Sequence, residues 1–347
     1  MSFSLLTTTC LFTLLYCLSL SVLAGETLRI LAWPGYADAD LVEKFEQRLN
    51  VKVEVSYVST DDELWERVNA NEGADFDLFA VNTAELQRYI DQGLSVPLDL
   101  DELPNLDNQL PRFRDLESIP GVSRDGRVYA IPYTYSEMGL IYDRTKVKAP
   151  PVSMEAMWNP HYRGRVLAFD TSNHNFTLAG LLLGAGNPFH LNDTEFTQAV
   201  IKLVDLRRNV LTFFRSPEEA VELFAENDVA LIFGNYGNQQ VKQLREAGAD
   251  IGYIIPKEGA LAWLDCWSMT RGVRNRELAQ AWINYTLEPQ VSEALTQRQG
   301  LANTVTPFPT ANDSDRIIWL EPLQYHAKRE SFWSRIRSGD SLEALLK

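Results

Sequence analysis

From Thr27 onward, short β-branched runs alternate with stretches of helical periodicity. Leu28 to Ala32 is a continuous apolar run, Leu41, Val42, Phe45 and Leu49 recur at helical spacing, and Val51 to Val55 alternate at period two. This pattern predicts a βαβ opening. A helix from Asp62 to Asn71, a strand from Asp77 to Val81, a helix from Glu85 to Asp91 and a short strand from Ser95 to Leu98 follow by the same criteria. The first part of the chain is therefore expected to be α/β with a largely parallel sheet.

A stretch rich in Pro and Asp, residues 99–120, separates this from a second set of short apolar runs: Tyr129 to Tyr133, Gly139 to Asp143, Val166 to Phe169, Val229 to Phe233 and Ile251 to Ile255. Each reads as a strand. Ser216-Pro217-Glu218-Glu219 predicts a helix start, since Ser can accept the Glu219 amide and Pro suits the first helical position. Leu278, Ala281, Trp282 and Tyr285 predict a late helix. The chain shows no internal repeat or low-complexity tract.

The first 24 residues carry no charged side chain and end in Val22-Leu23-Ala24, which reads as a secretory signal cut after Ala24. Removing it leaves Cys266 as the sole cysteine, so stability must come from packing and not from an internal disulfide. Among the 347 residues, 32 Lys and Arg stand against 47 Asp and Glu, a net charge of −15, with no basic block able to follow a phosphate backbone. Nucleic acid is not an expected partner. The four histidines are scattered, with no His-Glu-x-x-His and no cysteine pairs, so no metal site is expected. Neither a Gly-x-Ser-x-Gly elbow nor a complete phosphate-binding glycine fingerprint is present, which argues against an enzyme and against a cofactor.

Two segments carry candidate chemistry. Trp263-Leu264-Asp265-Cys266-Trp267 reads as a strand with Trp263, Asp265 and Trp267 on one face. That face is either two core tryptophans with a capping Asp, or an aromatic cage with a counter-charge for a cation. Ala32-Trp33-Pro34-Gly35-Tyr36 follows the first strand, where open α/β sheets place their ligands, so Trp33 and Tyr36 are candidates for a cleft. Asn82 and Thr83 follow the third strand in the corresponding position; ligand hydrogen bonding and helix capping are both open there.

These residues together resemble a known family, the periplasmic solute-binding proteins of ABC transporters that take spermidine and putrescine. The resemblance rests on Leu-Arg-Ile-Leu-Ala-Trp33-Pro-Gly-Tyr36, Phe-Asp77-Leu-Phe-Ala-Val-Asn82-Thr83, Ile131-Pro132-Tyr133-Thr134-Tyr135, Met157-Trp158-Asn-Pro-His-Tyr162-Arg-Gly164, and Pro256-Lys257-Glu258-Gly259 leading into Trp263-Leu-Asp265. It covers nearly the whole chain after residue 24. It implies an α/β, two-lobe periplasmic-binding-protein fold of type II, with two crossing linkers and a ligand cleft between the lobes. The expected lobes are residues 25–131 plus about 259–303, and residues 132–258 plus about 304–347. Trp33, Tyr36, Trp263 and Asp265 then line the cleft, with Tyr135 beside them, and Asn235-Tyr236-Gly237 resembles an aromatic-Asn-Gly turn of the second lobe.

The departures from the family bear on the ligand. Where polyamine binders carry several acids on a second-lobe strand-to-helix loop, Phe169-Asp170-Thr171-Ser172-Asn173-His174 offers one carboxylate and puts His174 in place of a second. Ala84 falls where the family has an aromatic ring, and Glu137 stands where the family has a small or hydroxylated residue. Asp265, Glu137 and Asp170 are the acids expected to serve a polyamine; another small amine or amino-acid-like compound is the alternative. The expected partner is a membrane ABC permease, or else a membrane sensor receptor, and the protein is expected to act as a monomer in the periplasm.

Overall fold

The computed structural model describes residues 26–308 and 316–347. The secretory signal expected at residues 1–24 lies outside the described residues. In the first half, β1 (Thr27–Ala32), α1 (Ala39–Leu49), β2 (Lys52–Tyr57), α2 (Asp61–Ala70), β3 (Leu78–Asn82), α3 (Thr83–Asp91) and β4 (Ser95–Val96) are followed by α4 (Pro111–Arg114) and the hairpin β5 (Ser123–Arg124) and β6 (Arg127–Val128). A long strand β7 (Ala130–Asp143) leads to β8 (Val166–Phe169), α5 (Ser172–Leu182), α6 (Asp193–Asn209), β9 (Thr212–Phe214), α7 (Pro217–Glu226), β10 (Leu231–Gly234), α8 (Gly237–Glu246) and β11 (Ile251–Ile254). The second long strand, β12 (Ala260–Thr270), precedes α9 (Arg276–Thr286), α10 (Pro289–Gln299), β13 (Ala302–Asn303), β14 (Ile317–Trp319), α11 (His326–Ser338) and α12 (Leu342–Leu346).

The principal strand order is β2-β1-β3-β12-β7-β10-β8-β9. Two parallel triplets, β2-β1-β3 and β10-β8-β9, flank the antiparallel pair β12–β7, which also runs antiparallel to both neighbours. The sheet is thus parallel within its wings and along the short β14, which pairs parallel with the start of β12. Arg29 and Asp77 lock the first wing: the Arg29 Nη2 lies 2.7 Å from Asp77 Oδ1, and Asp77 Oδ2 also accepts the Arg29 backbone N–H at 2.8 Å.

The two runs expected at Tyr129–Tyr133 and Gly139–Asp143 are one strand of 14 residues, buried along its entire length. Thr134, Ser136 and Glu137 lie between the two runs, and neighbours cover both faces of the strand there. β7 pairs with β12 as far as Met138 and with β10 from Gly139 onward. A side chain on Gly139 would collide with the Ile254 carbonyl and the Tyr253 ring, both within 2.6 Å of its Cβ position, so only glycine permits this change of partner. The core changes at the same place. One apolar cluster holds residues from Leu28 to Tyr135 and from Leu264 to Val305; another begins at Met138 and includes Leu261, Leu320 and Trp333. Trp263 packs against both.

Several helix starts are fixed by capping side chains. Ser216 accepts the Glu219 amide at 3.1 Å with Pro217 at the first helical position, as the sequence predicts. Asn192 and Glu195 form a reciprocal capping box on α6.

Candidate binding site

The turn after β1 is built by Gly35, whose φ of +87° suits the third position of a type II turn, closed by the Tyr36 amide to the Trp33 carbonyl at 3.2 Å. This geometry sends the Tyr36 ring into the first core, edge-on to Tyr133 and Trp267 at 5.8 and 6.5 Å. Only its hydroxyl reaches the site, donating to Asp265 Oδ2 at 2.5 Å. Trp33 stays half-buried against the same core, with its indole N–H shielded from water and without a hydrogen-bond partner. The pair expected in the cleft therefore divides its work: Tyr36 is mainly core.

The Trp263–Trp267 segment divides too. A register shift between Asp265 and Cys266 interrupts the pairing of β12 with β7. Trp267 is fully buried with Tyr36, Tyr133 and Trp282 around it, so it is a core residue and does not close a cage around Asp265. Trp263 stays half-buried and donates its indole N–H to the Asn235 carbonyl at 3.3 Å.

Asp265 is the electrostatic centre. Burial pushes its carboxyl up to about 7 against the pull of the Tyr36 hydroxyl, and it has no Lys or Arg partner among the described residues. Asp61, at the first turn of α2, is raised well above the usual carboxylate range by burial and by the negative charges of Glu85 and Asp265, with Arg88 pulling the other way. The side-chain amide of Asn82 holds Asp61 Oδ1 at 3.0 Å while the Asn82 oxygen caps α3 by accepting the Glu85 amide, so Asn82 serves the cap and the acid at once. Sequence reasoning passed over Asp61. The available signal was its place directly after the carboxyl end of β2, the rule already applied to Trp33 and Asn82.

On the other side, His174 Nδ1 lies 2.7 Å from Asn235 Oδ1 and its ring stacks on Phe169 at 6.0 Å. The Tyr236 ring meets Phe169 edge-on, its hydroxyl donates to the Arg215 carbonyl at 2.8 Å, and the charge on Asp61 is felt at its phenol. A connected line therefore runs from Asp61 and Asp265 through Trp263 and Asn235 to His174.

Four expected residues lie off this line. Asp170 is taken up by Arg215 Nε at 2.9 Å, by the Trp333 indole N–H at 3.0 Å and by Arg337, which leaves its charge spent on the α11 docking. Tyr135 packs against Phe113 and Trp319 and contacts Arg112. Glu137, two residues on, shares that face of β7, whereas Ser136 on the opposite face donates to the Tyr236 carbonyl at 3.4 Å. Thr83 is buried, with its carbonyl against Gly121.

The described residues contain no group of three or more His, Cys, Asp and Glu able to hold a metal ion. Burial raises the Cys266 thiol well above its ordinary value, which removes its nucleophilic thiolate form. No described helix is long and apolar enough to cross a membrane.

Residues 40–319 match the family described as bacterial extracellular solute-binding protein. The putrescine-binding periplasmic protein PotF of Escherichia coli strain K12 is 26% identical, with 94% of this chain and 95% of that protein aligned. The spermidine/putrescine-binding periplasmic protein of the same organism is 25% identical over 85% of this chain and 80% of its own length. The Tp0655 (TpPotD) lipoprotein of Treponema pallidum superposes with a TM-score of 0.78 at 21% identity, covering 90% of this chain and 100% of its own, which fixes the two-lobe fold. The chain belongs to the bacterial extracellular solute-binding proteins.

Proposed function

We propose that this protein captures a small cationic amine of the polyamine class, free or N-substituted, in the periplasm and delivers it to a membrane ABC permease. The observation that carries this reading is Asp265: a carboxylate withdrawn from water, held by a tyrosine hydroxyl and not by a cation, and close enough to a second buried acid, Asp61, for its charge to be felt there. An ionised carboxylate buried without a counter-charge costs several kcal/mol, and an incoming ammonium removes that cost. Trp33 and Trp263 supply half-buried indoles for the methylene chain. The names of the similar E. coli proteins support the same ligand class.

In this reading the two lobes, residues 25–131 plus about 259–303 and 132–258 plus about 304–347, close on the amine by bending where β7 and β12 pass between the cores. The test is a thermal-shift panel on residues 25–347 with spermidine, norspermidine, spermine, putrescine, their N-acetyl derivatives and amino acids. A ligand at 100 times its Kd adds about 2.7 kcal/mol of stability. Shifts confined to amines support the proposal; an amino acid shift with no amine shift overturns it.

A further inference from the structure

One end of the line holds two buried acids without an ion pair among the described residues, and no acid acts on the imidazole at the other. Asp61 and Asp265 mark the first. At the other end Asp170 is paired with two arginines and an indole, Glu218 accepts the Gln243 side-chain amide at 2.9 Å, Glu219 the Arg215 amide at 2.7 Å and Glu330 the Ser172 hydroxyl, and none of these acids is among the groups that act on the His174 ring. Glu137 lies on the opposite face of β7 from Ser136 and the Tyr236 turn.

What the line ends on is His174. The Asn235 side-chain oxygen faces Nδ1, so Nδ1 carries the hydrogen and Nε2 presents a lone pair. Burial lowers this imidazole to about 4, which keeps it neutral at physiological pH. A carboxylate placed at Nε2 would set lone pair against lone pair. A second ammonium would gain an acceptor but no counter-charge, and an unpaired buried charge is costly. An amide N–H or a hydroxyl matches a neutral acceptor without either penalty.

We propose that the ligand is positively charged at one end only, with its ammonium at Asp61 and Asp265 and an uncharged donor, an amide N–H or a hydroxyl, at His174 Nε2. This rests on the amine reading of the site and names the substrate class more narrowly: a monocationic amine such as a mono-N-acylated diamine.

Calorimetric titration of the purified protein with putrescine, N-acetylputrescine, 4-aminobutyrate and butylamine tests it. N-acetylputrescine binds at least tenfold more tightly than putrescine and 4-aminobutyrate, and His174→Glu reverses the preference over putrescine by at least tenfold. Putrescine or 4-aminobutyrate binding as tightly as N-acetylputrescine to the unaltered protein overturns the inference and leaves the amine reading standing. Failure of every amine in this titration and in the thermal-shift panel overturns both. The ranking by the unaltered protein decides the matter even if the Glu variant does not fold.

Discussion

Asp265 sets stability against function. In the folded protein its carboxyl is raised to about 7, whereas in the unfolded chain it returns to its ordinary value near 3.8. Between those values the folded state holds the extra proton, so the unliganded protein loses stability as pH rises through the window and carries the whole cost above it. Asp265→Asn keeps an acceptor for the Tyr36 hydroxyl and removes the buried charge. The variant should gain on the order of 2–4 kcal/mol over the parent at pH 8, measured by urea denaturation, and much less at pH 4. It should also lose at least a hundredfold in affinity for an amine, and a loss under twofold would strip Asp265 of its counter-charge role. In the parent, affinity for a permanently charged ammonium should fall by up to tenfold per pH unit below 7, because the proton and the ligand compete for one carboxylate; calorimetry at pH 5.5, 6.5 and 7.5 reads this directly. Trp33→Ala should weaken amine binding tenfold or more with a small change in melting temperature. A large melting change with unaltered binding would assign that ring to the core, as the structure already does for Trp267.

Among the elements, α8 and β7 hold the tightest contact beside the site. Gly237 opens α8 at φ +50°, and a Cβ there would lie 2.1 Å from Ser136 Oγ and 2.5 Å from the Glu137 carbonyl. Gly237→Ala must displace the Asn235–Tyr236 turn from β7, so ligand affinity should drop along with stability; calorimetry and thermal melts check both. By contrast, Ser216→Ala at the start of α7 should cost about 1 kcal/mol and leave binding unchanged. Helix starts such as this were legible from single residues because capping is local chemistry. The continuous β7 was not, since Thr134, Ser136 and Glu137 are enclosed by β12 and the Tyr236 turn, partners remote in sequence. Period two holds along β12, which stays in register with β3 through Asp265, and the choice left open at Trp267 falls to the core reading because its ring partners Tyr36, Tyr133 and Trp282 are remote or lie on other elements. Asp170 read as available for the same cause, as its arginine and indole partners lie 45 to 167 residues away.

For the molecule as a whole, the two larger cores share their strands. Neither core is contiguous, because the first draws on residues before Tyr135 and after Leu264, and the second on residues before Leu261 and after Leu320. The Arg29–Asp77 pair then matters beyond its wing, for the Arg274 amide also donates to Asp77 Oδ1 at 2.8 Å, joining the late segment to the first strands. Asp77→Ala strands a buried guanidinium and should cost roughly 3–5 kcal/mol by denaturant titration at neutral pH.

This interleaving has a consequence for biogenesis. While the ribosome is still adding the residues between Tyr135 and Leu264, the nascent chain holds only part of either of the two larger cores, and their contacts of longest sequence separation cannot yet form. The first core closes only when residues up to Val305 have emerged. A chain assembled in that order keeps its first half open until late in synthesis, which favours passage through a translocation channel before that half has closed.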